Sequence, residues 1–345
     1  AYQGLGQFKT AIEYQERHLE IAKEVGDKAG EGRSYGNLGN AYQGLGLFKT
    51  AIKCHQHSLE IAKKERDKAG EGRSYGNLGN AYQGLGQFKT AIEYQQRHLE
   101  IAKELEDKAG QGISYGNLGN AYRGLGEFKT AIEYHNRYLE IAKEVGDKAG
   151  EGRSYGNLGN AYQGLGEFET AIEYHNRYLE IAKDVGDKVG EGKSYGNLGN
   201  AYQGLGLFKT AIKCHQHSLK IAKKERDKAG EERSYGNLGN AYQGLGQFKT
   251  AIEYQQRHLE IAKELEDKAG QGISYGNLGN AYHGLGEFET AIEYHNRYLE
   301  IAKEVGDKVG EGKSYGNLGN AYQGLGQFKT AIEYQERHLE IAKEV

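Results

Sequence analysis

Apolar side chains return along this chain on a helical spacing. In the first full unit Tyr35, Leu38, Gly39 and Tyr42 lie three and four residues apart, which gathers them on one helix face. Phe48, Ala51, Ile52, Leu59 and Ala62 form a second stripe of the same kind. Between the stripes stands Gly44-Leu45-Gly46, a turn. The spacing predicts one helix from Lys28 to Gly44 and another from about Phe48 to Glu65. Asp27 is placed to cap the first helix, and Glu31 lies near its positive end. Gly26, Gly146, Gly186 and Gly306 suit the C-terminus of a second helix. Arg66, Glu106, Arg226 and Glu266 hold the same place without glycine's freedom, so those helices are expected to run on or to end differently.

The pattern then repeats. Tyr-Gly-Asn-Leu-Gly-Asn-Ala-Tyr begins at Tyr35 and recurs every 40 residues to Tyr315, with no insertion. A longer period of 160 lies above it: residues 81–120 and 241–280 are identical. Residues 41–80 differ from 201–240 only at Glu60/Lys220 and Gly72/Glu232, and residues 1–25 recur as 321–345. Four-unit blocks have been duplicated. The expected organisation is a single solenoid over 1–345, with eight complete helix pairs and a truncated first unit, 1–27. Ala1 to Gly6 match the tail of the repeated string, so the chain is expected to begin mid-repeat.

Composition sharpens this picture. The 53 glycines come with no proline, which excludes collagen. Regularly spaced Tyr, Leu, Ile and Phe exclude a disordered linker. No methionine occurs at all, so a piece of a longer chain, or a trimmed one, is expected. Lys and Arg number 45 against 48 Asp and Glu, a balance that argues against a nucleic-acid or anionic-membrane surface. No apolar run approaches the length of a membrane span, and no signal peptide is visible. Cys54 and Cys214 stand 160 residues apart in equivalent places, so no disulfide framework exists, and a reducing, cytoplasmic setting is expected. Gly30, Gly32, Gly36 and Gly39 fall inside the first helix at about 0.8–1 kcal/mol each relative to alanine. Such a helix forms only when neighbours stack on it.

Tyr35, Leu38, Gly39 and Tyr42, followed by Gly46, Phe48, Ala51 and Ile52, resemble the tetratricopeptide repeat over the whole chain. Tyr35 stands where that family often has tryptophan. The resemblance implies an all-α fold, a right-handed superhelical solenoid of stacked antiparallel helix pairs. The unit is 40 residues rather than about 34, and the usual proline after the second helix is missing. His18, Ser58, His98 and Tyr138 stand where the family carries a small alanine, which implies wider packing and an altered pitch. Leu-Gly-Asn in every unit, with Glu-Ile-Ala-Lys-Glu-Val-Gly-Asp, is similar to the LGN/Pins group of polarity scaffolds and to long tetratricopeptide arrays in multidomain proteins.

Opposite the apolar stripe, Arg33, Gly36, Asn37, Asn40, Gln43 and Gly44 share a face. The resemblance places that face in a concave, peptide-binding groove. Its ladder of amides is Asn37, Asn40, Asn77, Asn80, Asn117, Asn120, Asn157, Asn160, Asn197, Asn200, Asn237, Asn240, Asn277, Asn280, Asn317 and Asn320. An amide donates and accepts at once, so the ladder suits the main chain of an extended peptide. The alternative is that each Asn bridges adjacent helices. Gly36 and its counterparts are expected to leave room for the peptide. The Arg33 position is basic in six units, through Arg33, Arg73, Arg153, Lys193, Arg233 and Lys313, and reads Ile113 and Ile273 in the other two. Gln43 gives way to Arg123 and His283. These cations favour acidic ligands unless neighbours such as Glu31 neutralise them. Peptide-binding arginines of LGN/Pins-like repeats lie in this helix, which carries that role to Arg33, Arg73, Arg153 and Arg233. The lysine clamp of chaperone-binding members is not expected, because Gly36 and Gly76 occupy its sites.

Other signals are weaker. Cys54 with His57, and Cys214 with His217, share a helix face, but structural zinc wants four ligands and no third is placed here. The glycine strings lack the strand and lysine of a phosphate loop. His55, His135 and His175 face the packing layer with no nucleophile beside them. The expected function is therefore a protein–protein interaction scaffold, without cofactor or catalysis, that binds extended segments and neither nucleic acid nor membrane. The alternatives are a structural superhelix that associates head to tail, and the sensor array of a larger signalling ATPase. Near-identical units also slip register at little cost. Urea unfolding should be broad and multi-step, and a single transition whose m-value accounts for the whole chain would contradict this.

Overall fold

The computed structural model describes residues 8–344. Among them stand seventeen α-helices and no strand. The expected match of Ala1 to Gly6 with the repeat's tail lies outside the described residues. Contacts divide the chain into two units, one ending at Arg177 and one beginning at Tyr178. The first contains α1 (Phe8–Glu24), α2 (Lys28–Gly44), α3 (Phe48–Lys64), α4 (Lys68–Gly84), α5 (Phe88–Glu104), α6 (Lys108–Gly124), α7 (Phe128–Glu144) and α8 (Lys148–Gly164). The division falls within α9 (Phe168–Asp184). The second contains α10 (Lys188–Gly204), α11 (Phe208–Glu225), α12 (Lys228–Gly244), α13 (Phe248–Glu264), α14 (Lys268–Gly284), α15 (Phe288–Val305), α16 (Lys308–Gly324) and α17 (Phe328–Glu344).

Within each unit the helices pack in chain order, as repeated helix pairs. α2 lies against α3, α3 against α4, and α2 touches α4 more lightly. The Asp27 carboxylate accepts from the Gly30 N–H at 2.8 Å, and its counterparts cap the other first helices in the same way. This satisfies an N–H that the helix itself leaves open. Leu45 and Gly46 make the turn between the helices, where Gly46 takes φ +74°. Gly44 still belongs to α2. It is glycine because a Cβ there would stand 2.3 Å from the ring of Phe8.

The second helices do not end as the sequence suggests. Arg66, Glu106, Arg226 and Glu266 adopt the left-handed conformation, with φ of 54–56°, that glycine adopts at Gly26 and Gly146. The Asp67 N–H reaches the Ala62 carbonyl at 2.9 Å, closing the turn that the Asp27 N–H closes on Ala22 at 2.8 Å. The next first helix must start at a fixed place, and its packing outweighs roughly 1–2 kcal/mol of local strain.

The core lies between the second helix of one pair and the first helix of the next. Leu78 and Ala81 of α4 meet Ile52 and Leu59 of α3, and Leu118 and Ala121 of α6 meet Ile92 and Leu99 of α5. Tyrosines line one side of this seam: Tyr82 stacks on Tyr94 at 5.2 Å, and the Lys63 ammonium sits 5.3 Å from the centre of the Tyr75 ring. On α17 the equivalent apolar residues Phe328, Ile332 and Leu339 are exposed.

The two helices of a pair meet at Gly39 and its counterparts. A Cβ on Gly39 would lie 2.3 Å from the imidazole of His55, and one on Gly79 would lie 2.6 Å from Gln95. The position opposite this glycine is histidine in some pairs and glutamine in others, and His55 and Gln95 are both fully buried. Gln95 Nε2 donates to the Gly76 carbonyl at 2.9 Å and to Asn80 Oδ1 at 2.8 Å. Neither ring nitrogen of His55, His135, His175 or His215 has such a partner among the described residues. Burial pushes their pKa values down from 6.5, to about 4 for His55, His175 and His215 and to about 3 for His135, where the Arg123 charge adds to the effect. These imidazoles are neutral in the fold and take protons more readily once unfolded. Their contribution is complete above the unfolded value of 6.5 and is lost as pH falls from there towards 4. Between about pH 7 and about pH 5 the urea midpoint should drop, and His135→Gln with His175→Gln should flatten that drop. An unchanged slope in the double variant would exclude these histidines as its source.

Candidate functional site

The first helices of successive pairs stand apart over the second helix between them. α2 and α4 form two walls and α3 the floor. Arg33, Asn37 and Asn40 line one wall, Arg73 and Asn77 the other, and Ser58 and Ile61 lie below, around a cavity of about 360 Å³. The second unit repeats this arrangement between α10 and α12. There Lys193, Asn197, Asn200, Arg233 and Asn237 surround a cavity of about 110 Å³ over Ser218 and Ile221. A third cavity, of about 520 Å³, lies between α14 and α16, lined by Asn277, Asn280, Lys313, Asn317 and Asn320 with Tyr298 and His338.

Thus much of the expected face does come together. Arg33, Arg73, Arg153, Lys193, Arg233 and Lys313 are all exposed. Gln43 and Arg123 line none of these three cavities. They stand near the far end of the first helix, ten residues beyond the Arg33 position, which is roughly 15 Å of helical rise. The Gln43 Oε1 is buried without a hydrogen-bond partner, and Arg123 acts on the buried His135.

The charges pair differently from the sequence expectation. Glu31 binds Lys28 at 2.8 Å rather than Arg33. Arg33 reaches back to the capping carboxylate Asp27 at 3.8 Å, Arg73 to Asp67 at 3.5 Å, Arg153 to Asp147 at 3.4 Å and Arg233 to Asp227 at 3.8 Å. Exposed pairs of this kind contribute at most about 1 kcal/mol, so a ligand carboxylate can displace them. Still, Glu65 and Asp67 share the α2–α4 cavity with Arg33 and Arg73, and its fixed charge balances.

Part of the amide ladder is used inside the fold. Asn80, Asn240 and Asn320 accept from Gln95, Gln255 and Gln335 at 2.8, 2.9 and 3.1 Å. Asn37 Nδ2 donates to Gln15 at 3.3 Å. These bonds join a first helix to a second helix, the bridging role that the sequence leaves open. Where His55, His135, His175 and His215 take the glutamine's position, their ring nitrogens make no such bond among the described residues.

The glycines of the face serve the chain before any ligand. A Cβ on Gly76 would lie 2.9 Å from the His98 ring, and one on Gly116 3.1 Å from the Tyr138 ring. They admit the floor residue, not a guest. Gly36 and Gly196, by contrast, meet nothing but a serine hydroxyl, at 3.5 Å. The floor position is therefore a site residue that the sequence expectation omits. Its signal is the change from Ser58 to His98 to Tyr138, which sequence alone ties to helical pitch. The Cys54 thiol is half-buried, its pKa raised by burial and by the charge of Glu16, and the His57 ring lies tilted against Tyr35 with centroids 5.0 Å apart. Among the described residues no three metal-ligating side chains converge, and no helix is long and apolar enough to cross a membrane.

A family model described as tetratricopeptide repeat matches residues 1–64, 70–144, 110–184, 190–264, 230–304 and 270–344. No curated protein matches the chain. Solved structures of similar fold include the apo quorum sensor NprR from B. thuringiensis, at 17% identity over 97% of this chain and 98% of that one, with a TM-score of 0.69. Aspartyl phosphate phosphatase F from Bacillus subtilis aligns at 14% identity over 99% of this chain and 91% of that one, with a TM-score of 0.68. A signal-transduction ATPase with a tetratricopeptide-repeat sensor, from Pyrococcus horikoshii, aligns at 17% identity over 96% of this chain and 53% of that one, with a TM-score of 0.66.

The two kinds of rung should respond differently to truncation. Asn80→Ala takes an acceptor from buried Gln95 and should cost about 1 kcal/mol in a denaturant titration. Asn120→Ala, in a pair that carries His135 instead, should cost clearly less. Equal losses would mean that the glutamine bond is not what distinguishes them.

Proposed function

This chain belongs to the tetratricopeptide-repeat family, and on that premise we propose that it is an interaction scaffold that holds extended segments of other proteins between its first helices. The observation that carries this reading is the recurrence of one cavity, lined from equivalent positions, in both units. Its walls offer amides, which pair with a peptide main chain whatever its sequence. Its floor offers Ile61 and Ala62, which reward burial of side chains. The site is arranged to bind rather than to react: it gathers donors, acceptors and apolar surface around an open slot.

Arg33, Arg73, Arg153 and Arg233, with Lys193 and Lys313, give the groove a leaning towards acidic segments. The capping aspartates moderate it, because each arginine must exchange one carboxylate for another. The proteins of similar fold include a quorum sensor and the sensor of a signalling ATPase, names that describe reception of a signal. At these identities the likeness is one of fold.

Calorimetric titration of a library of extended peptides should find binders, with acidic members losing more affinity than neutral ones as salt rises. Asn197→Ala, Asn200→Ala and Asn237→Ala together should weaken binding by about tenfold or more while leaving the fold intact. Undiminished binding in the triple variant, or no binder in the library, would defeat the reading.

A further inference from the structure

The floor of the groove differs from pair to pair at one position. It is Ser58 on α3, His98 on α5, Tyr138 on α7, Ser218 on α11, His258 on α13 and Tyr298 on α15. Tyr138 shows what a filled floor looks like. Its ring lies beside Gly112 and Gly116, where added Cβ atoms would stand 3.3 and 3.1 Å away, and it is 8% exposed. Arg153 Nε donates to its hydroxyl at 3.2 Å, while another guanidinium nitrogen keeps Asp147 at 3.4 Å. His98 fills the same place with a smaller ring and shares a hydrogen bond of 2.8 Å with Ser114.

At Ser58 the ring is missing and its surroundings remain. Gly32 and Gly36 stand in for Gly112 and Gly116, Arg73 for Arg153, and Asp67 for Asp147. A Cβ on Gly36 would meet only the Ser58 hydroxyl, at 3.5 Å. The Arg73–Asp67 pair persists at 3.5 Å, with side chains 67% and 51% exposed, against 56% and 43% for Arg153 and Asp147. Ser58 itself turns to Ser74 at 3.1 Å and covers none of this. The cavity left is about 360 Å³. A cavity of about 150 Å³ already accepts a benzene ring.

We infer that the slot over Ser58 is a subsite for a tyrosine side chain of the bound segment. The phenol ring takes the place that Tyr138 takes in its own pair, against Gly32 and Gly36, and its hydroxyl accepts a hydrogen bond from Arg73. Ile61 supplies apolar contact beneath. The balanced charge of the cavity suits a neutral ring with one polar tip better than a carboxylate. The Ser218 slot repeats the design, with Val189 in place of Ala29 and Lys193 in place of Arg33, and at about 110 Å³ it holds the same ring less well. The inference rests on the groove reading and adds to it a residue preference at a defined rung.

The test uses the whole chain and N-acetyl-tyrosinamide as the probe, followed by saturation-transfer NMR at millimolar concentration. Ser58→Tyr plugs the slot with a residue that the fold already accepts at Tyr138, and circular dichroism checks that the variant folds. Should it not fold, Ser58→His, which copies the His98 pair, serves instead. The expected result is a signal in the wild type that falls by about fivefold or more in the Ser58 variant and less in Ser218→Tyr. Arg73→Ala should reduce the tyrosine probe to the level of N-acetyl-phenylalaninamide. Absence of a wild-type signal, an equal signal in the Ser58 variant, or equal binding of the two probes to the wild type overturns the inference. Peptides that bind wild type and Ser58→Tyr equally would also overturn it while leaving the groove reading standing. Probe binding without any peptide binder would do the reverse.

Discussion

A group as small as a methyl at Gly39 would keep the two helices of a pair from closing, since its carbon would stand 2.3 Å from the His55 ring. That approach sets everything else at a fixed height. It seats the second helix against the first, and so presents Leu59 and Ile52 to the next pair. It also fixes the level of residue 58, three positions on and therefore on the same side of the helix, where the groove begins. A glycine that weakens the isolated helix thus makes the stacked one possible.

Where chemistry is local, the sequence is readable. The stripes of Leu38 and Ile52, the Asp27 cap and the Gly46 turn each depend on neighbours within a few residues, and they give helix limits that agree with Lys28–Gly44 and nearly with Phe48–Lys64. What escapes depends on partners from another helix. The left-handed turn at Arg66 is imposed by the helix that follows. The partner of Arg33 is the capping aspartate, which lies six residues back in sequence but meets it across one corner of the helix start. Gly76 and Gly116 look like gaps for a ligand because nothing local shows that the His98 and Tyr138 rings occupy that space. The cationic ladder is legible as a pattern, while its partial neutralisation is not.

Near-identity makes the chain its own control. Gly72 and Glu232 are equivalent, and their surroundings are otherwise the same in sequence over 41–120 and 201–280 apart from Glu60/Lys220. Where Gly72 leaves the His98 ring clear, Glu232 brings a carboxylate to 3.6 Å from His258 and beside Asp267. Burial, with the Asp267 charge added, raises its pKa to about 6. The folded chain there holds a proton more firmly than the unfolded chain does, so ionisation as pH rises works against that one junction. The buried histidines act in the opposite sense: each stays neutral where water would charge it, so they favour the fold as pH rises.

The floor residue has a genetic side. Codons for tyrosine lie a single nucleotide from codons for histidine and from codons for serine. A point mutation at one codon in every forty therefore closes, narrows or opens a slot while the helices around it keep their positions. Copying a block of four pairs then carries its slots along, in order. An array of this kind can acquire a new reading frame for its ligands by mutation at one position and spread it by duplication, with no new fold required.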